Sequence, residues 1–216
     1  MKIRRSKMNN IIPIKERLAQ KSAISGKAGA AIMSDMLNDE KIMNLVTTHY
    51  NSITCENEMK PEIILGDKPA FRVDSEERIC IDKNDDPVLI LDFSRADKIM
   101  DYIKIYNEKN TDDPIRVRGH VLVWHSQTPD WFFREKYDIR GPYVCRDRMM
   151  KRLENYIREV IEHYDGAGSP YRGIIYAWDV VNEQIEPDDF HPEKNPGSVR
   201  YTCNNKNTGW YNIFQG

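Results

Sequence analysis

Apolar and polar positions follow two rhythms along this chain. Residues 27–32 (KAGAAI), 50–55 (YNSITC), 115–124 (IRVRGHVLVW) and 174–182 (IIYAWDVVN) are short, dense runs of β-branched, aromatic or small side chains, and they predict strands. Between them apolar residues recur every three or four positions. Ile42, Leu45, Val46 and Tyr50 make one such stripe, with Asn38 or Asp39 placed to cap it. Ala96, Ile99, Met100, Ile103 and Tyr106 make a second, behind Ser94 as cap. Met149, Leu153, Tyr156, Ile157, Val160, Ile161 and Tyr164 make a third and predict a helix over roughly 145–164. A shorter helix, PIKERLAQK at 13–21, opens on Pro13. Residues 61–92 follow neither rhythm. Their stretch FRVDSEERICIDKNDDPVLILDF alternates around the turn cluster DKNDDP, so a hairpin-like excursion is expected there.

Strands alternating with helices of this length predict βα units on a parallel sheet, an α/β fold, and about four units are countable. The strands read as nearly continuous apolar runs, which suits a sheet covered on both faces. After Glu183 the chain turns loop-like, and WYNIFQG at 210–216 starts another helix.

Composition narrows the function classes. A length of 216 residues fits one domain, or one large domain cut short, and 40% hydrophobic residues can fill a core. The formal net charge of −2 lacks the basic excess of a nucleic-acid binder. Cys55, Cys80, Cys145 and Cys203 share no metal-ligand spacing, so no metal site is expected; four free thiols, mostly buried, are. The basic start MKIRRSK is followed by no apolar signal segment, and no run approaches membrane-spanning length. As written, the chain is expected to be cytoplasmic, with no membrane and no nucleic-acid partner.

Polar residues collect at one end of each strand. Strand two runs into TCENEMK, strand three carries His120 and Trp124 and continues to His125 and Gln127, and strand four ends on Asn182 and Glu183. In parallel α/β folds the carboxyl ends of the strands are where sites are built. Singly, each residue has an ordinary explanation: a solvated strand end for Glu183, a hydrogen-bonded core histidine for His120, core packing for Trp124 and Trp178. Together they would leave many polar groups beside buried strands, and such groups need partners. Amides, acids, a lysine, histidines and indoles suit a sugar, whose ring stacks on indole and whose hydroxyls bond amides and carboxylates. GAGSPYRG has neither the spacing nor the context of a dinucleotide fingerprint, and neither GxSxG nor HExxH occurs. Because Asn182 and Glu183 are consecutive, the strand must twist or bulge for both to serve one site. His120 and Trp124, four apart, are expected on one side.

At these residues the chain resembles glycoside hydrolase family 10, the endo-β-1,4-xylanases. The likeness is carried by ITCENEMKPE, RGHVLVWHSQTPDWF and WDVVNEQI, with LDFSRAD similar to that family's entry into its second helix. The resemblance implies a (β/α)8 TIM barrel with retaining chemistry and no cofactor, acting on xylan and xylo-oligosaccharides. It implies Glu183 as general acid/base and Asn182 as the supporting amide. It further implies that Glu56, Asn57 and Lys60 hold sugar units on the non-reducing side, with His120, Trp124 and Gln127 around the scissile bond.

That family's nucleophilic glutamate lies on a later strand, in a Thr-Glu-Leu-Asp-like segment, and two later tryptophans roof its cleft. None of these occurs in the 216 residues. Residues 1–216 therefore read as a catalytic domain incomplete at its C-terminus, about four βα units of a truncated barrel, with the nucleophile not in this chain. Glu186, Asp188 and Asp189 follow on the same loop and do not arrive from the opposite wall. Strands one and four would keep open edges and their apolar lumen residues would meet water, so self-association through those edges is expected. Three other readings stay open: a non-catalytic xylan-binding remnant, one half of a split enzyme, and a β-1,4-glucanase of the same clan, against which RGHVLVWHSQ and Lys60 speak. The family is often secreted.

Overall fold

A computed structural model describes residues 11–21, 26–185, 200, 202–203 and 206–214. Four parallel strands form the central sheet in chain order: β1 (Gly29–Ile32), β2 (Ser52–Cys55), β3 (Arg116–Trp124) and β4 (Ile175–Asn182). Helices α1 (Ile14–Lys21), α2 (Glu40–His49), α3 (Pro61–Leu65), α4 (Ser94–Lys109) and α5 (Arg146–Asp165) surround it, and α6 (Gly209–Phe214) follows a two-stranded β5 (Thr202–Cys203) and β6 (Lys206–Asn207). The α/β fold with four parallel strands and intervening helices is as the two rhythms implied.

Alternation along the inner strands divides the two faces of the sheet. Ile53 and Cys55 on β2 and Ile115 and Val117 at β3 are fully buried, in one cluster with Met43 and Val46 of α2, Ile99, Met100 and Ile103 of α4, and Met149, Tyr156, Val160 and Tyr164 of α5. The other face is concave. Gly29, Ala31, Thr54, Glu56, Arg118, His120 and Asp179 line a cavity of about 500 Å³ there. Its lining mixes small residues with polar and charged ones. Full cover holds for the outer face of β2 and β3, while on the concave face Thr54 and His120 are half-buried and Arg118 is exposed; it fails at β4, where Tyr176, Val180 and Val181 are exposed. An edge strand has only one neighbour to cover it.

Three local expectations also change. On α2 the buried positions are Met43 and Val46, while Ile42 and Leu45 face outward and Tyr50 ends the helix. Asp39 is its cap, accepting from the N–H groups of Lys41 and Ile42. Ser94 does not cap α4; it is the first helical residue, and its N–H is taken by Asp92 Oδ1 at 2.9 Å. Of the cysteines, only Cys55 is buried among those described; Cys80 is intermediate, Cys145 is exposed and the side chain of Cys203 lies outside the described residues.

The excursion is more than a hairpin. After α3 three short stretches meet around Arg72, Cys80 and Val88, whose backbones bond in a closed triangle: Arg72 N–H to Val88 O (2.9 Å), Cys80 N–H to Arg72 O (2.8 Å) and Val88 N–H to Cys80 O (2.9 Å). Antiparallel bridges at Phe71–Leu89, Val73–Ile79 and Ile81–Pro87 complete this bead. Its tip is the DKNDDP turn, in which Asp82 Oδ1 accepts the N–H groups of Asn84 and Asp86. A buried ion pair fastens the tip to α5. Arg152 of α5 donates from Nε and Nη2 to both oxygens of Asp86 at 2.8 and 2.7 Å. Its Nη1 donates to Phe132 O and Arg134 O, and its guanidinium lies 3.9 Å from the Tyr137 ring centre.

Gly119 on β3 has Trp178 of β4 directly against it, so that a Cβ would overlap the indole ring. Gly119→Ala must push Trp178 off the sheet, and a loss of about 1–3 kcal/mol is expected. Urea unfolding of the variant checks this, and Trp178→Leu in the same background should recover part of the loss.

Candidate active site

Chain order alone brings the carboxyl ends of β2, β3 and β4 side by side. β2 stops at Cys55, and residues 56–60 form a tight link into α3, with Lys60 in extended backbone just before Pro61 at the first helical turn. Glu58 locks that link. Its carboxylate is 2% exposed and accepts Ser34 N–H (2.6 Å) and Asn57 N–H (3.2 Å), tying the loop after β2 to the loop after β1. Burial, and secondly the Glu58 charge, push the neighbouring Cys55 thiol far up, which keeps it protonated.

Lys60 is buried too. Its Nζ donates to Asn57 Oδ1 (2.9 Å) and Gln127 Oε1 (3.1 Å) and lies 5.0 Å from the Trp124 ring centre. Gln127 sits at φ +41° and is held from both sides, since its Nε2 donates to Glu62 Oε2 (3.0 Å) and its carbonyl accepts Glu62 N–H (2.7 Å). Among the described residues no carboxylate pairs with Lys60. An ammonium has three protons, so two amide oxygens leave one for a hydroxyl-bearing ligand.

Between β3 and β4 the register is irregular. His120 stands opposite Asp179 and Val123 opposite Val181, so β3 carries one extra residue there. Regular alternation, from which His120 and Trp124 were expected on one side, does not run through this irregularity, and hydrogen bonds fix each ring. The His120–Val121 peptide is cis. His120 Nδ1 lies 2.9 Å from Asp179 Oδ2, and Arg118 grips Asp179 Oδ1, with Nε at 2.9 Å. Trp124 stands opposite Asn182, and its Nε1 donates to Glu183 Oε2 at 3.2 Å. His125 Nε2 lies 4.0 Å from the same oxygen.

Glu183 leaves the strand at φ +50°, the break that the adjacent Asn182 and Glu183 required. Its carboxylate is half exposed, and its carbonyl accepts Arg200 Nε at 2.9 Å. Trp124 O in turn accepts Trp210 Nε1 at 2.9 Å, and Trp210 packs edge-on against Phe133. The structure thus joins Asn57, Lys60, Gln127, Trp124 and Glu183 through direct contacts. Glu56 and His120 share the concave cavity beside them, and Asn182 is placed by register alone. Glu186, Asp188 and Asp189 lie outside the described residues.

Sequence reasoning missed Asp179, Arg118, Glu58 and Glu62. A signal existed for Asp179: an acid inside the apolar run AWDVVN has to find partners. For Arg118 the strand pattern also gave a hint, since it shares parity with His120.

Burial opposes ionisation of Asp179, but hydrogen bonds from Arg118 and His120 outweigh it and hold the carboxyl below its usual range. A folded-state pKa below the unfolded one gives stability that is present above the unfolded value, about 3.9, and is lost as pH falls through the folded one. Asp179→Asn should therefore melt below the parent at neutral pH, with the gap closing under acid. Thermal melts across pH check this, and a gap constant with pH would refute it.

Comparison with known proteins places this arrangement. The family profile "Glycosyl hydrolase family 10" matches residues 16–214. Endo-1,4-beta-xylanase A of Thermotoga maritima is 35% identical over 208 residues, covering 94% of this chain and 15% of that protein. Endo-1,4-beta-xylanase B of Butyrivibrio fibrisolvens is 40% identical over 164 residues, covering 76% of this chain and 23% of that protein. Among solved structures, the Clostridium thermocellum endo-1,4-beta-D-xylanase 10B modules complexed with xylohexaose superpose with a TM-score of 0.72 at 29% identity, covering 94% of this chain and 34% of that one. An intracellular xylanase of Thermoanaerobacterium saccharolyticum gives 0.64 at 28%, with 95% and 49% covered. The chain spans less than half the length of each of these relatives. With nearly all of its length inside the profile and its four strands superposing on those barrels, the chain belongs to glycosyl hydrolase family 10.

Proposed function

We propose that residues 1–216 are the N-terminal part of an endo-1,4-β-xylanase catalytic domain, cleaving internal β-1,4-xylosidic bonds in xylan with retention. The contact that carries this reading is the Trp124 indole N–H on Glu183 Oε2, which sets a carboxyl at the tip of β4 beside the Lys60, Asn57 and Gln127 network. Glu183 gives its proton to the leaving oxygen and later takes one from water. A carboxylate from a later strand attacks the anomeric carbon, about 5–5.5 Å from Glu183 in a retaining pair. Asn182 supports the reacting sugar. Glu56, Asn57 and Lys60 hold xylose units on the non-reducing side, and His120, Trp124 and Gln127 flank the cleavage point. The relatives crystallised with xylohexaose and xylotetraose support this class of ligand.

The open outer edge of β4, with Val180 and Val181 exposed, favours a companion reading in which the chain acts with a second piece that supplies strands and nucleophile, or associates with itself through that edge. Xylohexaose calorimetry and xylan hydrolysis test both readings. The isolated chain is expected to bind xylohexaose without turnover, and to hydrolyse xylan once joined to the later strands of a family barrel. Absence of xylohexaose binding in both forms would overturn the assignment. Gel filtration tests self-association, and a monomer at high concentration would dismiss it.

A further inference from the structure

A second cavity lies away from the candidate cleft. It is a groove of about 530 Å³ between the bead and the face of α5 that carries Arg152, Asn155, Tyr156, Glu159 and His163. From Arg152 to His163 that face runs about 16 Å at 1.5 Å per residue, long enough for a short extended chain. The opposite wall is apolar, built by Leu89, Leu91 and Phe93, and Phe93 is stacked on His163 at 3.9 Å between ring centres.

Two charges face this groove without touching. Burial raises the carboxyl of Glu159, and Arg72 pulls it part of the way back. Arg72 and Glu159 both line the groove, yet among the described residues no hydrogen bond or ion pair joins the two. A group that accepts from a guanidinium and donates to a carboxyl would bridge them, and a hydroxyl does both. The rim carries both signs, with Arg158 against Asp82 and Glu162, so it selects neither anions nor cations. An apolar wall facing a mixed rim fits a ligand with C–H surfaces and neutral hydroxyls.

We propose that this groove is a second binding site, outside the catalytic cleft, for a neutral oligosaccharide chain, with Arg72 and Glu159 bridged by sugar hydroxyls. The choice of xylo-oligosaccharide as its occupant rests on the function proposed above. The site would let the protein hold a polysaccharide at one point while cleaving it at another.

Calorimetric titration of the whole chain with xylotriose tests the proposal. Lys60→Ala, which disables the cleft, should leave one saturable site. In that background Arg72→Gln or Glu159→Gln should weaken the remaining site at least tenfold, while the thermal melt stays close to that of Lys60→Ala. Asn155→Ala, on the exposed helix face, provides a second check and should weaken it as well. Unchanged affinity in all three variants, or no saturable binding in Lys60→Ala, would overturn the second site. Binding lost in the groove variants but untouched by Lys60→Ala would keep the groove and remove the cleft assignment, so the two can fail separately.

Discussion

Glu183→Gln is expected to cut xylan hydrolysis by about 10²–10⁴-fold in a form where this chain is joined to the later strands of a family barrel. That corresponds to about 3–5 kcal/mol of transition-state stabilisation. The amide keeps the size of the carboxyl and can still accept from Trp124 Nε1, so the tip of β4 should hold its shape. On the proposed mechanism, what it loses is the proton for the glycosidic oxygen. Xylohexaose affinity should therefore stay within a few-fold while kcat falls. An aryl xyloside whose leaving group needs no proton separates the role of acid from that of mere contact, because its first step should be largely spared. Because Glu183 also serves the second step, the comparison uses the first-turnover burst of aryl release, and a burst slowed as much as xylan hydrolysis would refute the acid role. Reducing-sugar release and aryl-group release, measured on the same preparation, give the comparison.

Asp86→Ala is expected to be the most damaging change to the fold, at about 3–5 kcal/mol. It strands the buried guanidinium of Arg152, which has both Asp86 oxygens as partners and is itself nearly inaccessible. Arg152 also holds Phe132 O and Arg134 O, so its displacement frees the loop after β3 as well as the bead. For a chain of this size the melting temperature should fall by about 10 °C. The double change Asp86→Leu with Arg152→Met removes both charges and should restore much of the loss, since two apolar residues need no partner. A double variant no more stable than Asp86→Ala would show that the pair matters through geometry that apolar side chains cannot replace.

The long elements were legible because their periodicity is strong. The β-branched run ending at Trp124 and the stripe from Met149 to Tyr164 each allow one structure, and both formed within a residue or two of expectation. On α2 periodicity gave the helix but not its docking: Met43 and Ile42 are equally apolar, and only the packing against the sheet chooses Met43. The bead escaped because its three stretches are too short to show a period and are defined by bonds among Arg72, Cys80 and Val88. In the candidate site, TCENEMK, HVLVWHSQ and VVNE pointed to strand ends that the structure sets side by side. The roles of Glu58, Glu62 and Asp179 depend on partners 24, 65 and 59 positions away in sequence, and local spacing does not report such distances. The irregularity after His120 was equally hidden, since an extra residue in one strand is visible only against its neighbour.

The sheet order β1-β2-β3-β4 bears on how the chain is made. Every strand pairs with the one synthesised just before it, so each new unit can be laid on a finished surface as the ribosome releases it. Lys60, Gln127 and Trp124 are then in position before β4 arrives. Glu183 comes just after the last residue of that strand, so the proposed acid reaches the cleft after the Lys60, Gln127 and Trp124 network beside it is assembled.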